Sequence, residues 1–174
     1  MVKTGKYYVL DATALIQGIA PTALSGDAFT VPGVIEEVRT STMPSMRIET
    51  AISSGSLKTR KPSRESVAIV GDIVKAIGEG SALSKTDLAL IALALDLKEG
   101  GHDVTIISDD YAIQNVSTRL GVPFITVAAS GISLAFTWSL FCPACRRTYP
   151  SDMQPTCPVC GTPLKRRVVK KRKV

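Results

Sequence analysis

Four cysteines, the only ones in the chain, fall in two matched pairs near its carboxyl end. Cys142-Pro143-Ala144-Cys145 and Cys157-Pro158-Val159-Cys160 are C-P-x-C turns separated by eleven residues, and each can direct two thiolates at one metal ion. Two such turns complete the tetrahedral thiolate site that structural zinc prefers. Two disulfides would need an oxidising compartment, but the first residues lack the apolar segment of a secretory signal. The pattern predicts structural zinc at Cys142, Cys145, Cys157 and Cys160 in a cytoplasmic protein.

Carboxylates follow two predicted strands at the point where each strand ends. Asp11 comes after the apolar run 7–10, and Asp109 and Asp110 come after 104–107. The carboxyl ends of parallel strands lie at one edge of a sheet, so these acids should converge, and Asp87 in the first turn of a helix can join them. Each acid alone also fits a helix cap, including a capping box over 84–87. Together they repel one another, and a bound cation relieves that repulsion.

A further acid comes from the helix predicted over residues 33–39. Val34, Ile35 and Val38 define its apolar side, which leaves Glu36 on the solvated side and Glu37 at the border between core and cleft. Glu37 is therefore the better ligand candidate, with an ordinary surface acid as the alternative. An all-oxygen site of this kind suits Mg²⁺ or Mn²⁺. Because the only histidine, His102, sits in a glycine turn, a metal-bound water is the better candidate for the base.

The order of elements predicts an α/β fold with a second, smaller module. Apolar strands alternate with amphipathic helices up to about residue 128, which is typical of a parallel sheet with helices on both faces. The predicted divisions are a three-layer α/β/α domain over 1–128, a linker over 129–137, a small β-rich zinc ribbon over 138–169 and a basic tail over 170–174. Residues 40–47 are predicted to be a loop, and composition suggests mobility over 40–56.

Positive charge is concentrated on and after the cysteine module. Residues 141–174 contain nine lysines or arginines and one acid, whereas residues 1–140 are slightly acidic. Such a basic block suits a nucleic-acid backbone, with a solvated tail as the alternative. No apolar run is long enough to span a membrane. The candidate RNA-binding residues are Arg146, Arg147, Lys165, Arg166, Arg167, Lys170, Lys171 and Arg172.

Four short motifs resemble those of PIN domains, a family of metal-dependent ribonucleases. They begin at Asp11-Ala12-Thr13, Val34-Ile35-Glu36-Glu37, Leu83-Ser84-Lys85-Thr86-Asp87 and Ser108-Asp109-Asp110-Tyr111. With a four-cysteine ribbon and a basic end, nearly the whole chain resembles the Nob-type endonucleases, and its short length resembles the archaeal members. The resemblance implies that Asp11, Glu37, Asp87 and one or both of Asp109 and Asp110 bind the catalytic metal. Thr13 or Ser108 is a further candidate for orienting a ligand or water.

The resemblance implies a function that composition does not give. Nob-type enzymes cut precursor small-subunit ribosomal RNA at its mature 3′ end, so the expected partners are ribosomal RNA and the immature small ribosomal subunit. The ribbon and basic residues would hold the RNA backbone. The alternatives are a toxin-type PIN ribonuclease that cuts tRNA or mRNA, and a non-enzymatic RNA-binding assembly factor. The sequence leaves the oligomeric state open.

Overall fold

A computed structural model of the chain describes residues 5–40, 45–128, 131 and 134–173. Of the helices in those ranges, none combines the length and apolar character that a bilayer crossing needs. The elements, in chain order, are β1 (Lys6–Leu10), α1 (Ala12–Ile16), a 3-10 turn (Pro21–Ala23), β2 (Asp27–Thr30), α2 (Pro32–Arg39), α3 (Ser45–Ser53), β3 (Leu57–Thr59), α4 (Arg64–Ile77), α5 (Lys85–Glu99), β4 (Asp103–Ile107), α6 (Tyr111–Leu120), β5 (Phe124–Ile125), β6 (Leu134–Phe141), β7 (Thr148–Tyr149) and β8 (Lys165–Lys173).

A five-stranded parallel sheet forms the centre of the larger domain. Its strand order is β3-β2-β1-β4-β5, so β1 lies in the middle, with β2 on one side and β4 on the other. Val9 and Ile106, which pair across β1 and β4, are both fully buried. Strands covered on both faces need continuous apolar runs, and the sequence supplies them. The predicted α/β/α fold with a central parallel sheet is confirmed.

Helix α5 is the most deeply buried helix of this domain. Leu90, Ile91 and Leu93 are inaccessible to solvent, and apolar residues surround the helix on nearly every side, as expected of a helix inside the core. Ser84 and Asp87 close its N-terminus in a reciprocal capping box, with each side chain accepting from the other's backbone N–H. The cap fixes Asp87 at the same end of the domain as the carboxyl edge of the sheet.

One local prediction differs from the structure. The loop predicted over 40–47 is wrong from Ser45 onward, where α3 begins; Ile48 and Ala51 are buried one turn apart, and that packing outweighs a composition rich in serine and methionine. Residues 41–44 of that loop lie outside the described residues. The fifth strand of the parallel sheet, β5, is short, and beyond it the Val127 backbone N–H donates to the Asp109 carboxylate at 2.8 Å.

A second, antiparallel sheet carries the cysteines, with the strand order β7-β6-β8. β6 and β8 pair from Leu134 with Lys173 to Phe141 with Lys165, and a bulge lies at Thr137 and Trp138. β6 begins within the segment predicted as a linker, and β8 continues into the segment predicted as a tail, so most of the basic carboxyl end is part of β8. The small β-rich ribbon predicted after the α/β domain is confirmed.

Candidate active site and metal centre

The two central strands of the parallel sheet end side by side. Leu10 pairs with Ile107, and the Asp11 backbone N–H donates to the Ile107 carbonyl at 3.1 Å. Strand order changes direction here, because β2 and β3 lie to one side of β1 and β4 and β5 lie to the other. Open α/β sheets bind ligands at the carboxyl edge beside such a switch point. His102 precedes β4 at the opposite edge, where its ring stacks on Tyr7 at 4.1 Å between centroids.

Asp11 is a buried carboxylate held on both oxygens. Oδ1 accepts from the Ala12 backbone N–H at 2.6 Å, which caps α1, and Oδ2 accepts from the Thr13 and Ser108 hydroxyls at 2.9 and 2.8 Å. Burial raises the pKa of the Asp11 carboxyl above its ordinary value, and these hydrogen bonds offset the rise only in part. The charge on Asp87 raises that pKa further, which places Asp87 within electrostatic reach.

Ser108 joins Asp11 to the start of α6. Its side chain is fully buried, and its oxygen also accepts from the Asp110 backbone N–H at 3.1 Å. Asp110 in turn caps α6, because its Oδ1 accepts from the backbone N–H groups of Ala112 and Ile113 at 2.6 and 3.3 Å. Among the described residues, Oδ2 of Asp110 has no hydrogen-bond partner and remains available to a ligand.

Asp109 occupies a different position from Asp110. Its Oδ1 accepts from the Val127 backbone N–H, and its Oδ2 accepts from the Ala128 backbone N–H at 3.1 Å and from the Gln17 side-chain amide at 3.0 Å. These contacts tie the end of β4 to α1 and to the chain after β5. Both oxygens of Asp109 are therefore engaged in holding neighbouring segments together.

Glu37 lies on the solvent-exposed surface of α2. A Cβ atom built on Gly33, one turn earlier, would meet the Thr86 hydroxyl at 2.7 Å, so α2 and α5 approach closely beside Asp87. Residues four apart share one face of a helix, and Glu37 is therefore on the Gly33 side. Glu36 is also exposed. No hydrogen bond or ion pair within the described ranges involves the Glu37 carboxylate.

The carboxyl edge has the donor set that a hard divalent cation needs. Asp11, Asp87 and Asp110 are carboxylates at the N-termini of three helices, and each also caps its own helix. In the described part of the chain they do not form a preassembled cluster; the only group of three or more potential ligands close enough to hold an ion is the cysteine set. The residues present fit Mg²⁺ or Mn²⁺ by chemistry, because both ions prefer carboxylate oxygens.

The four cysteines are placed where they can hold one metal ion together. Their Sγ atoms all lie within 4.8 Å of one another, with Cys142 to Cys160 at 3.4 Å and Cys145 to Cys157 at 3.6 Å. Zinc–sulfur bonds of about 2.3 Å at tetrahedral angles place sulfurs about 3.8 Å apart. Desolvation opposes ionisation of Cys157, but the Tyr149 hydroxyl, 3.1 Å from its Sγ, and nearby backbone N–H groups lower the pKa of Cys157 to about 6.

A polar network attaches the ribbon to the α/β domain, with Glu79 at its centre. The side chain of Glu79 is 6% exposed. Its Oε1 accepts from Asn115 at 2.6 Å and from the Trp138 indole N–H at 2.9 Å, and its Oε2 accepts from Arg166 at 3.0 Å. The Arg166 guanidinium also lies 4.4 Å from the centre of the Trp138 ring. A buried charge with three donors is well compensated, so the network fixes the ribbon's position.

β7 covers only the last two residues of β6 on one side, and the uncovered part of β6 contacts α6 through Asn115. The Asn115 side chain donates to the Phe136 carbonyl and accepts from the Phe136 backbone N–H, both at 2.9 Å, so it occupies the position of a missing neighbouring strand. Nearby, Gly78 has φ +75°, and a Cβ there would meet the Trp138 carbonyl at 2.7 Å. The sequence predicts no site role for Glu79, Asn115 or Trp138. In the sequence, Glu79 stands out only as a single acid between two glycines.

Six of the eight candidate RNA-binding residues lie on β8, where they divide between its two faces. Residues paired across antiparallel strands share a face. Arg166 and Lys171, paired with Leu140 and Phe136, therefore share the face of the Trp138 ring. Lys165, Arg167, Lys170 and Arg172 lie on the opposite face. Arg146 and Arg147 lie beside the first cysteine turn, and Arg146 has φ 63°. All eight side chains except Arg166 lack a carboxylate partner within 4.0 Å among the described residues.

Comparison with known proteins agrees with this geometry. The pattern of the family described as the PIN domain of ribonuclease matches residues 8–97. The chain is similar to Endoribonuclease Nob1 of Methanothermobacter thermautotrophicus, with 41% identity over 94% of this chain and 92% of that protein. It is similar to Endoribonuclease Nob1 of Methanocaldococcus jannaschii, with 36% identity over 96% and 80%. It also resembles Ribonuclease VapC1 of Thermoplasma acidophilum, with 28% identity over 99% and 84%.

Proposed function

The chain belongs to the PIN-domain ribonucleases of the Nob1 type and is an endoribonuclease, and we propose that it cuts precursor small-subunit ribosomal RNA at the mature 3′ end. The buried Asp11 carboxylate at the switch point of the sheet, joined through Ser108 to Asp110, is the observation that supports phosphodiester cleavage. The similarity to the Nob1 proteins supports ribosomal RNA as the substrate. The ribbon fixed beside that edge supports a large RNA substrate. The immature small ribosomal subunit is the partner that this substrate implies.

The proposed ligands of the catalytic cation are Asp11, Asp87 and Asp110, with Glu37 completing the site. Asp110 is preferred over Asp109 because Ser108 links it directly to Asp11 and because its Oδ2 has no hydrogen-bond partner among the described residues. The hydrogen bonds of Asp109 lead away from Asp11, to Val127, Ala128 and Gln17. In this assignment Asp109 is a positioning residue that fixes the end of β4. Glu37 reaches the site from α2, on the side that approaches Thr86.

The chemistry is hydrolysis of a phosphodiester bond. Mg²⁺ or Mn²⁺ bound at such a site supplies an activated water and stabilises the negative charge that develops on the phosphate. The residues of this chain orient the ligands: Thr13 and Ser108 hold Oδ2 of Asp11, and the α6 N-terminus holds Asp110. Burial of Asp11 strengthens its interaction with a cation, because the local dielectric is low.

The ribbon's proposed role is to bind the RNA backbone. Zinc at the four cysteines would supply much of the folding energy of this small module, which has few buried apolar residues. Arg146, Arg147, Lys165, Arg167, Lys170, Lys171 and Arg172 present exposed charge for phosphates. Arg166 forms an ion pair with Glu79, so its proposed role is to hold the ribbon in the position from which the other cations bind RNA.

A second candidate is a ribonuclease that acts on tRNA or mRNA. The similarity to Ribonuclease VapC1 along nearly the whole chain favours a ribonuclease outside the Nob1 group, although the identity is lower than to the Nob1 proteins. The test is a competition among three RNAs: a fragment spanning the 3′ end of small-subunit ribosomal RNA, a bulk tRNA and an unrelated mRNA. One cut mapped to the mature 3′ end supports the proposal. Preferential cutting of tRNA or mRNA supports the second candidate instead.

A further inference from the structure

An open cavity of about 820 Å³ lies between the N-terminal end of α6 and strand β6. Asp110 and Tyr111 line it from the α/β domain, and Phe136 and Trp138 line it from the ribbon. Its size falls within the range of about 300–1,000 Å³ that is typical of sites for small organic groups. Because Asp110 belongs both to this cavity and to the proposed metal site, a group in the cavity lies next to the reacting phosphate.

The walls of this cavity are suited to a flat ring. The Tyr111 side chain is 58% exposed at its rim. Phe136 and Trp138 are half-buried, with ring centroids 5.7 Å apart. The Trp138 ring is held by its bond to Glu79 and by the Arg166 guanidinium, so this wall is rigid. Unpaired bases stack on such aromatic side chains, whereas bases inside a duplex are not accessible to them.

Positive charge lies on the same face of the ribbon as these rings. Lys171 pairs with Phe136 and Lys173 pairs with Leu134, which also lines the cavity, and cross-strand partners share a face. Lys170 pairs with Thr137 and therefore lies on the opposite face. Lys170 and Lys171 are both exposed. A backbone phosphate attached to a base in the cavity would thus meet Lys171 rather than Lys170.

We propose that this cavity binds one unpaired RNA base, stacked against Tyr111 and Phe136, in the nucleotide next to the scissile phosphate. The site would select single-stranded RNA and set the register of the cut, whereas the other cations of the ribbon bind phosphates without regard to register. The inference rests on the proposed function for its statement about the scissile phosphate. Base binding itself requires only the cavity.

The test uses the full-length protein with Asp11→Asn, so that bound RNA stays intact. Trp138 is the only tryptophan in the chain, and its fluorescence should change when a base enters the cavity. We expect a short single-stranded RNA to alter the emission and the same RNA in a duplex to leave it unchanged. Tyr111→Ala should weaken single-strand binding by roughly 5- to 100-fold, the usual effect of removing one stacking partner. Phe136→Leu should also weaken binding while keeping the core apolar.

Lys171→Gln and Lys170→Gln form a matched pair, because each removes one charge from adjacent residues of β8. Lys171→Gln should weaken single-strand binding several-fold more than Lys170→Gln. Equal losses in that pair, or wild-type affinity and unchanged fluorescence in a folded Tyr111→Ala protein, would overturn the base site even if cleavage is normal. A binding loss in Tyr111→Ala together with an absence of cleavage by wild type would support the cavity and contradict the proposed function instead.

Discussion

The Ser108 hydroxyl at the end of β4 donates to Oδ2 of Asp11 at the end of β1 across 2.8 Å, although 97 residues separate the two in sequence. The same oxygen accepts from the Asp110 backbone N–H. One small side chain therefore sets the position of two proposed metal ligands on different elements. Thr13 makes only the first kind of contact, and it is exposed.

Ser108→Ala should lower cleavage activity by roughly 10- to 100-fold, the usual cost of removing a residue that orients a metal ligand. Thr13→Ala is the matched control, because it also removes one hydroxyl from Oδ2 of Asp11. Water can replace the exposed Thr13 hydroxyl but not the buried Ser108 hydroxyl. The loss of activity in Thr13→Ala should therefore be several-fold smaller than in Ser108→Ala. Single-turnover rates and RNA affinities check this; equal rate losses in the two variants would contradict the bridging role of Ser108.

Asp11→Asn should stabilise the protein in the absence of Mg²⁺ and Mn²⁺ at neutral pH. Burial raises the pKa of Asp11, so ionisation opposes folding. A carboxyl with a raised folded-state pKa stabilises the fold fully below its unfolded pKa of about 3.9, and that contribution is lost as pH rises through the folded pKa. The expected gain is on the order of 1 kcal/mol, or roughly 2–4 °C in Tm. Thermal melts from about pH 4 to 8 check it, and a Tm difference that does not grow with pH would contradict it.

Arg166→Met should destabilise the folded protein by about 1–3 kcal/mol, since it removes one donor from the buried Glu79. Arg167→Met removes the same charge from the opposite face of β8, where the side chain donates to Thr148 and is exposed. It should weaken RNA binding, in a salt-dependent manner, with little effect on stability. Urea titrations and binding isotherms separate the two effects. Equal destabilisation by both variants would contradict the central place of Glu79 in docking the ribbon.

Removal of metal from the cysteine site should disorder the ribbon and leave the α/β domain folded. Few apolar residues of the ribbon are buried, so its strands depend on the thiolate site. A zinc-selective chelator, or Cys157→Ser, should change Trp138 emission and weaken RNA binding, while helical circular dichroism persists. Zn²⁺ should restore the wild-type signal but not that of Cys157→Ser. Unchanged emission after verified metal loss would contradict this dependence.

The arrangement of the acidic edge could be anticipated from local sequence. Asp11 and Asp110 each follow a short apolar strand, and parallel strands present such residues at one edge. The different tasks of Asp109 and Asp110 could not be anticipated in this way, because they depend on Val127 and Gln17, which contact Asp109 from other parts of the chain. The Glu79–Arg166 ion pair could not be anticipated either, because it joins residues 87 apart in sequence that meet only when the two domains dock.

Mn²⁺-dependent cleavage of a fragment spanning the small-subunit ribosomal RNA 3′ end tests directly whether the acidic edge of the sheet cuts RNA. Wild type, Asp11→Asn, Asp110→Asn and Asp103→Asn would be compared, the last removing an exposed acid from the opposite end of β4. We expect one cut at the mature end by wild type and Asp103→Asn, and a loss of activity of at least about 100-fold in Asp11→Asn and Asp110→Asn with RNA still bound. Equal cleavage by all four proteins, or none by wild type despite tight binding, would contradict it.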